Sequence, residues 1–358
     1  MIIVRKLEVD GYEDVRKIEA PRFRAWIAVH DTTLGPALGG CRVRPYASEQ
    51  EALSDVLRLA EAMTLKSSLA GLPLGGGKMV VQADPRQIDE EMLRGIAMAV
   101  ETFGGRYIVA EDMGTTPSHM AVISRWTKHV AHSHEGGNPA PATAFGVLVG
   151  MDAWSLHRDG RPVGSHTTVA VQGTGAVGSR LVSMLADRGV RLIVADVDVI
   201  RAKEVAASVS GRTEVEVVTP DRVLETECDI LAPCAVGSVV DGRRARTIRC
   251  RAVVGSANNQ LAAPGVLDIL GERGIDYLPD FLVNAGGVCH VWFESGVRSC
   301  VYEVAALIHG IQARALEVLR RADAGEGTTH EIAVRMAMDR IRRHRPGGTA
   351  SVDVTVRG

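Results

Sequence analysis

The segment Thr168-Val169-Ala170-Val171-Gln172-Gly173-Thr174-Gly175-Ala176-Val177-Gly178 decides the fold of the second half of the chain. An apolar strand pattern leads into glycines spaced G-x-G-x-x-G, and a helix pattern follows over 177–188. The first glycine of this motif permits a tight turn, the second admits a pyrophosphate and the third lets helix and strand pack closely. The helix N-terminus adds unpaired N–H groups and a partial positive charge. The segment predicts a dinucleotide-binding loop; the alternative is a glycine-rich turn without a ligand. The candidate cofactor contacts are Gly173, Thr174, Gly175, Ala176, Val177 and Gly178.

A second apolar run, at 192–195, ends in Asp196, 18 residues beyond Gly178. A carboxylate at this place accepts hydrogen bonds from the adenosine ribose hydroxyls and repels a 2′-phosphate. Asp196 therefore predicts NAD rather than NADP as the cofactor. Arg201 follows five residues later, and its positive charge weakens this preference.

Strand and helix patterns alternate around this segment. Further apolar runs occur at 215–218, 229–232 and 252–255, and an amphipathic helix is predicted over 303–320. Alternating strands and helices indicate a parallel sheet with crossover helices. The fold class predicted is therefore α/β, with a Rossmann-type doubly wound domain in the second half of the chain.

The first half of the chain also mixes strands and helices. Residues 21–46 predict strands with loops, and a helix over 48–63 begins with a capping box of Ser48 and Glu51. A cluster, Gly75-Gly76-Gly77-Lys78, precedes the apolar run 79–81, and a helix at 90–100 and a strand at 107–110 follow. His134–Pro141 is rich in Gly, Asn and Pro and predicts an interdomain linker. The length of 358 residues suits two domains.

Composition excludes several classes of function. The net charge of −2, with 23% charged and 46% hydrophobic residues, gives no broad attraction to nucleic acid or anionic lipid. We therefore expect no nucleic-acid or membrane partner, and the basic runs at 243–246 and 342–345 are interpreted as solvated faces. The N-terminal residues do not resemble a signal peptide, and no long apolar run suggests a membrane span. The six scattered cysteines predict free thiols in the cytoplasm.

Two lysines carry the catalytic prediction. Lys66 and Lys78 stand in apolar and glycine-rich sequence, and a carboxylate pair, Glu111 and Asp112, follows a short strand. Apolar surroundings favour the neutral form of a lysine, which a general base requires. The spacing alone is equally compatible with surface lysines on either side of a loop.

The chain resembles the glutamate/leucine/phenylalanine/valine dehydrogenase family. Within that family it is most similar to the leucine and phenylalanine dehydrogenase branch. The resemblance covers roughly residues 25–320 and rests on several motifs that follow in the same order. In the first half these are Gly39-Gly40-Cys41-Arg42, Met63-Thr64-Leu65-Lys66, Gly75-Gly76-Gly77-Lys78, Glu111-Asp112-Met113-Gly114-Thr115-Thr116 and Gly137-Asn138-Pro139. In the second half they are 228–235, Gly255-Ser256-Ala257-Asn258-Asn259-Gln260 and Pro279-Asp280 through Asn284-Ala285-Gly286-Gly287.

The resemblance implies two domains with an active site in the cleft between them. The substrate-binding and oligomerisation domain would comprise 1–137 and 328–358, and the NAD-binding Rossmann domain 138–327. The implied activity is the NAD-dependent, reversible oxidative deamination of an amino acid to the 2-oxo acid and ammonia. A homo-oligomer is also implied.

The resemblance further assigns roles to single residues. Lys66 would bind the substrate carboxylate, Lys78 would be the general base that activates water, and Asp112 would exchange protons with the amine. Asn259 would hydrogen-bond near that amine, and backbone at Gly39, Gly40, Gly76 and Gly77 would line the site. The positions implied on the cofactor side are Thr143, Ala235, Asn258 and Asn284.

The substrate side chain is predicted to be apolar. Leu38 stands where glutamate-specific members of the family carry a lysine, so the second carboxylate of glutamate would be buried without a partner. The other candidate pocket residues are small or medium and apolar: Met63, Ala110, Val288 and Val291. They favour leucine, valine or isoleucine. The alternative is an aromatic substrate such as phenylalanine or tryptophan.

Some features argue for other readings. Cys41 and the segment Cys289-His290-Val291-Trp292-Phe293 depart from the leucine-type pattern, and the large side chains of Trp292 and Phe293 put branched-chain specificity in doubt. A catalytically silent NAD-binding paralogue is a further alternative, against which the intact lysines argue. His129, His132 and His134 lack accompanying metal ligands and are interpreted as a solvated loop. No metal is predicted.

Overall fold

We describe a computed structural model that covers residues 2–131, 138–294 and 301–345, without the side chains of 294 and 301–303. His132, His134, Cys300, most of the predicted linker and the polar tail after Arg345 lie outside the described residues. The chain divides into two compact units. Unit 1 comprises Met1–Ser68, Leu72–His132 and Val334–Gly358, and unit 2 comprises Leu69–Gly71 and Ser133–Ala333.

Unit 1 is built on a mixed six-stranded sheet with the strand order β1-β2-β3-β5-β4-β6. The pairs up to β3–β5 are antiparallel, whereas β4 runs parallel to both β5 and β6. The strands are β1 (Ile3–Leu7), β2 (Asp14–Ala20), β3 (Phe23–Asp31), β4 (Ala37–Arg44), β5 (Gly75–Gln82) and β6 (Tyr107–Glu111). The helices that accompany them are α2 (Glu90–Glu101), α3 (Pro117–Ile123), a 3₁₀ turn (Pro85–Gln87) and the larger parts of α1 (Glu49–Ala70) and α13 (Thr329–His344).

The two faces of this sheet pack against different helices. Cys41 of β4 and Met79 of β5 belong to a buried cluster with Ile96 of α2. Val80, the next residue of β5, instead packs with Val56 of α1. Because side chains alternate along a strand, the residues that face α1 are the even-numbered ones of β4 and β5. The register extends this face to β6, since Gly40 pairs with Ala110 there.

Helix α1 begins as predicted but ends later. The backbone N–H of Glu51 donates to Ser48 Oγ at 3.1 Å, which confirms the cap. The predicted end at Met63 is wrong, because α1 continues to Ala70. The spacing of apolar residues does not predict this last part of the helix, because the buried positions there are occupied by the polar residues Ser67 and Ser68. Ser68 Oγ donates to the carbonyl oxygen of Ala337 at 2.7 Å.

Unit 2 contains an all-parallel six-stranded sheet with the order β9-β8-β7-β10-β11-β12. This is the doubly wound Rossmann order, and it confirms the predicted fold class. The strands are β7 (Thr168–Gln172), β8 (Arg191–Ala195), β9 (Val215–Val217), β10 (Ile230–Pro233), β11 (Ala252–Val253) and β12 (Asp276–Tyr277). The helices are α4 (Ala140–Asp159), α5 (Ala176–Ala186), α6 (Val199–Val209), α7 (Pro220–Val223), α8 (Gly242–Thr247), α9 (Val266–Glu272), α10 (Asp280–Val283), α11 (Gly286–Glu294) and α12 (Val301–Asp323).

One end of the predicted linker is helical. Ala140 and Pro141 form the first turn of α4, so the prediction of a linker up to Pro141 is wrong there. Proline is tolerated in a first helical turn because the N–H groups of that turn have no intrahelical partner. The five cysteines in the described residues are free thiols, as predicted.

Candidate active site

Lys78 and Asp112 meet on the face of the unit 1 sheet that packs against α1. Lys78 lies on β5 and is only 6% exposed, and Asp112 directly follows β6. The ammonium nitrogen of Lys78 is 2.8 Å from Asp112 Oδ2, and Arg42 Nε donates to the same oxygen at 3.0 Å. Arg42 also donates to Asp55 Oδ2 at 3.2 Å, where the hydroxyl of Tyr46 donates too. A buried lysine and a carboxylate therefore share a network of alternating charge.

The charges around Asp112 keep it ionised. Burial acts to raise its pKa, but the positive charges of Lys78 and Arg42 outweigh burial and lower the pKa to about 2. Asp112 is therefore a carboxylate throughout the physiological pH range. It stabilises positive charge on the neighbouring nitrogen atoms.

Gly40 and Gly76 leave room on the sheet for Asp112 and for helix α1, respectively. A Cβ on Gly40 would lie 2.7 Å from the Cβ of Asp112, and a Cβ on Gly76 would lie 2.1 Å from the backbone nitrogen of Thr64 in α1. Any side chain at either position would displace Asp112 or the helix. Lys66 lies two residues beyond Thr64 on α1 and is half-buried, as is Met63.

The neighbouring glycines serve the packing of Tyr107. A Cβ on Gly77 would lie 2.8 Å from the ring of Tyr107, and a Cβ on Gly39 would lie 1.7 Å from the carbonyl oxygen of Gly77. The Tyr107 hydroxyl donates to the carbonyl oxygen of Gly39 at 2.7 Å. Packing thus explains both glycines, and their lining of a substrate site stays a prediction.

Apolar residues stand beside the charged pair. Leu38 lies on β4 opposite Gly76 of β5, and it is 3% exposed. Ala110, the residue before Glu111, is 7% exposed and pairs with Gly40. These two predicted pocket residues therefore lie on the face that carries Lys78.

The glycine-rich loop of unit 2 has the geometry that a pyrophosphate needs. Gly173 has a φ of +95°, and a Cβ there would lie 2.7 Å from Ala235. A Cβ on Gly178 would lie 1.9 Å from the carbonyl oxygen of Gly173. Gly175 precedes α5, and a Cβ there would meet no atom within 4 Å. No side chain caps this 11-residue helix, which begins at Ala176 and Val177, so its first N–H groups are available to a phosphate.

Asp196 follows β8 beside this loop. Its Oδ2 accepts from the backbone N–H and the hydroxyl of Thr174 at 2.7 and 3.2 Å, and its Oδ1 accepts from Arg201 Nη2 at 2.6 Å. Burial acts to raise the pKa of Asp196, but these hydrogen bonds and one from Asp198 N lower it to about 2. The carboxylate is charged and fixed to the loop.

Comparison with known proteins decides the family. Residues 12–129 match the family model described as Glu/Leu/Phe/Val dehydrogenase, dimerisation domain. Residues 138–343 match the model of the glutamate/leucine/phenylalanine/valine dehydrogenases. The chain belongs to the glutamate/leucine/phenylalanine/valine dehydrogenase family. It is therefore an amino-acid dehydrogenase, an oxidoreductase with a dinucleotide-binding domain.

Relatives of this dehydrogenase carry different substrate names. It is 42% identical to a leucine dehydrogenase of Geobacillus stearothermophilus over 81% of this chain and 80% of that protein. It is 40% identical to a phenylalanine dehydrogenase of Thermoactinomyces intermedius over 93% and 92% of the two chains. The crystal structure of L-tryptophan dehydrogenase from Nostoc punctiforme matches with a TM-score of 0.82 at 36% identity, covering 93% and 97% of the two chains. These relatives do not decide between branched-chain and aromatic substrates.

The remaining predicted site residues of the dehydrogenase lie in unit 2. Asn284 Nδ2 donates to Asn258 Oδ1 at 2.8 Å, and Thr143 Oγ1 would lie 2.5 Å from a Cβ on Gly287. Asn259 has a φ of +52°, and its N–H donates to the carboxylate of Asp280. Val288 is buried and Val291 half-buried on α11. No helix in the described part of the chain is long and apolar enough to cross a bilayer.

Three residues that support the site, Arg42, Asp55 and Tyr107, were not predicted from the sequence. Arg42 bridges Asp112 and Asp55, and Tyr107 fixes the strand that carries Gly39. The alternation of β4 was a usable signal for Arg42, because Leu38, Gly40 and Arg42 share one parity. Asp55 had no such signal, since it approaches from another element, α1.

Proposed function

We propose that this dehydrogenase catalyses the NAD-dependent, reversible oxidative deamination of an apolar L-amino acid to its 2-oxo acid and ammonia. The observation that carries the proposal is the buried contact of 2.8 Å between Lys78 Nζ and Asp112 Oδ2. A surface lysine is the alternative that the sequence left open, and a lysine that is 6% exposed argues against it.

A bound NAD would supply the acceptor for the hydride that leaves the substrate Cα. The chemistry that follows needs water to attack the electron-poor imino carbon, and water needs a base to accept its proton. For this step Lys78 must first give up the proton that it holds beside Asp112, and its neutral Nζ is then proposed to accept the proton of water. The fixed carboxylate of Asp112 stabilises the resulting ammonium, because preorganised opposite charge in a buried site acts strongly on developing charge. Asp112 is further proposed to exchange protons with the leaving amine, and Lys66 to bind the substrate carboxylate.

The residues of unit 2 fit a dinucleotide. Gly175 leaves open space where a pyrophosphate approaches, and the uncapped start of α5 offers N–H groups to it. The ionised Asp196 supports NAD over NADP, since a carboxylate repels a 2′-phosphate. Thr143, Ala235, Asn258 and Asn284 are proposed to serve the nicotinamide side.

The side-chain pocket supports a branched-chain substrate. Leu38 and Ala110 are buried apolar residues on the face that carries Lys78, and neither offers a charge to the second carboxylate of glutamate. Val288 and Val291 are proposed to complete the pocket. An aromatic substrate is the second candidate for two reasons. Trp292 on α11 is buried and directly follows Val291 in the sequence. Relatives are also named as phenylalanine and L-tryptophan dehydrogenases.

The proposal also includes a homo-oligomer, since residues 12–129 match a model described as a dimerisation domain. The mass in solution tests this part separately, by light scattering on the purified protein. A monomer of 38.2 kDa at micromolar concentration would contradict it.

The decisive test is a panel of L-amino acids assayed with NAD by the absorbance of NADH. Turnover is expected with leucine, valine and isoleucine, and none with glutamate. A kcat/KM for phenylalanine or tryptophan above that for leucine would replace the branched-chain assignment with the aromatic one. Binding of NADH without turnover of any apolar amino acid would instead identify a silent paralogue.

A further inference from the structure

The carboxylate of Asp196 is saturated with hydrogen bonds from within the chain. A carboxylate offers about four lone-pair sites. Oδ2 accepts two bonds from Thr174, and Oδ1 accepts from Asp198 N at 2.9 Å and from Arg201 Nη2 at 2.6 Å. A ribose hydroxyl that donates to Asp196 must therefore displace one of these donors.

The four donors differ in their freedom to move. The N–H groups of Thr174 and Asp198 belong to the backbone that positions the glycine-rich loop and the start of α6. The hydroxyl of Thr174 belongs to a residue that is 1% exposed. The Arg201 side chain is 44% exposed and is held by long, rotatable bonds. Arg201 is the donor that can leave at the lowest cost.

The net charge around Asp196 also depends on Arg201. Arg201 Nη1 is 3.9 Å from Asp198 Oδ2, so one guanidinium lies against two carboxylates. Together Asp196, Asp198 and Arg201 carry a formal charge of about −1, since two negative charges meet one positive charge. Without Arg201 the local charge would be about −2, and the repulsion of a further anion would grow.

We propose that Arg201 is a specificity-determining residue of the dinucleotide site. It yields its place on Asp196 Oδ1 to a ribose hydroxyl, and it moderates the repulsion that Asp196 and Asp198 exert on a 2′-phosphate. Discrimination between NAD and NADP is then set by the triad of Asp196, Asp198 and Arg201 rather than by Asp196 alone. This inference rests on the proposed dinucleotide site and not on the identity of the amino-acid substrate.

The test uses two probes that lack the nicotinamide ring, ADP-ribose and 2′-phospho-ADP-ribose, titrated calorimetrically into the whole protein. In Arg201→Ala, ADP-ribose is expected to bind at least as tightly as to the wild type. The phosphorylated probe is expected to bind about five- to tenfold more weakly, as a lost unit charge close to a phosphate predicts. Arg201→Lys retains the charge and should keep the ratio of the two affinities near that of the wild type.

Arg249→Ala is the matched control. Arg249 is 62% exposed, pairs with Glu227 at 2.6 Å and precedes β11, at the opposite end of the parallel strands from the loop. Its replacement changes the net charge by the same amount and should leave the ratio unchanged. Raising the ionic strength should shrink the effect of Arg201→Ala, because screening acts on exposed charges.

An unchanged ratio in Arg201→Ala, or weaker binding of ADP-ribose itself, overturns the proposal. A similar change in Arg249→Ala also overturns it, since the effect would then be one of net charge. If neither probe binds the wild-type protein, this inference and the dinucleotide site fail together. If both bind but no amino acid is turned over, only the proposed reaction fails.

Discussion

Asp112 Oδ2 is shared by two cations, Lys78 at 2.8 Å and Arg42 at 3.0 Å. Arg42 also reaches Asp55 of α1, so two carboxylates and two cations alternate between the sheet and the helix that packs on it. A change at one member leaves an unbalanced charge on its neighbours, because partly buried charges are poorly screened.

Lys78→Ala is expected to abolish most turnover while NADH binding survives. A positioned general base typically contributes about 10²- to 10⁴-fold to a rate, and alanine removes the only proposed proton acceptor for water. Steady-state kinetics measure the first effect, and quenching of tryptophan fluorescence by NADH measures the second. Lys128→Ala changes an exposed lysine of the same unit and should retain activity. Equal loss of turnover and NADH binding in Lys78→Ala would mean that the residue is structural.

Asp112 should make stability depend on pH in the acid range. Its folded pKa of about 2 lies below the ordinary value of 3.8, so its contribution is fully present above that ordinary value and is lost as the pH falls toward 2. The lowered pKa corresponds to a contribution of about 2 kcal/mol to the free energy of unfolding at neutral pH. The measurement is the free energy of unfolding in urea for wild type and Asp112→Asn between about pH 7 and pH 2.

The difference between the two proteins should be constant near neutral pH and shrink below about pH 4. Asp10→Asn serves as the control, because Asp10 is an exposed acid of the same unit. A difference that persists undiminished toward pH 2 would show that Asp112 stabilises the fold by something other than its charge.

Sequence patterns predicted the Rossmann unit well because its signals are local. The loop around Gly173 and the strand that ends before Asp196 carry their geometry in a few neighbouring residues. The doubly wound order then follows from alternating strands and helices. The long helix α4 was not predicted, since its apolar residues surround the whole helix rather than forming one stripe.

The catalytic face was harder to predict because it depends on pairing between distant strands. Lys78 and Asp112 are 34 positions apart, and only the register of β5, β4 and β6 brings them together. The family resemblance supplied their roles, and the alternation of β4 was a signal for Arg42, but no local pattern indicated Asp55 as a partner. The start of β5 was also missed, since Gly75, Gly76 and Gly77 disfavour a strand by propensity. Their close contacts with other backbone explain why glycine is kept there.

Gly40→Ala should damage catalysis through Asp112. The added Cβ would lie 2.6 Å from the carbonyl oxygen of Glu111 and 2.7 Å from Asp112 Cβ, so the carboxylate must move. A displacement of about 1 Å in a reacting group can cost about a hundredfold in rate. Turnover should fall by that order, and NADH binding should be retained. Gly211→Ala places a Cβ that meets no atom within 4 Å and should behave like the wild type. Normal turnover in Gly40→Ala would show that the position of Asp112 does not limit the reaction.

Gly175 and Gly178 should separate cofactor binding from folding. A Cβ at Gly175, where φ is −71°, meets no protein atom within 4 Å, so Gly175→Ala should unfold at the temperature of the wild type. The methyl group would occupy the space through which the pyrophosphate approaches, and ADP-ribose affinity should fall about 5- to 150-fold, the effect of roughly 1–3 kcal/mol of overpacking. A Cβ at Gly178 would lie 1.9 Å from the carbonyl oxygen of Gly173, so Gly178→Ala should lower the melting temperature even without ligand. Thermal unfolding and calorimetric titration of both variants distinguish the two effects. If Gly175→Ala binds ADP-ribose as tightly as the wild type does, the pyrophosphate does not pass over this glycine, and the glycine-rich turn serves the packing of β7 and α5 alone.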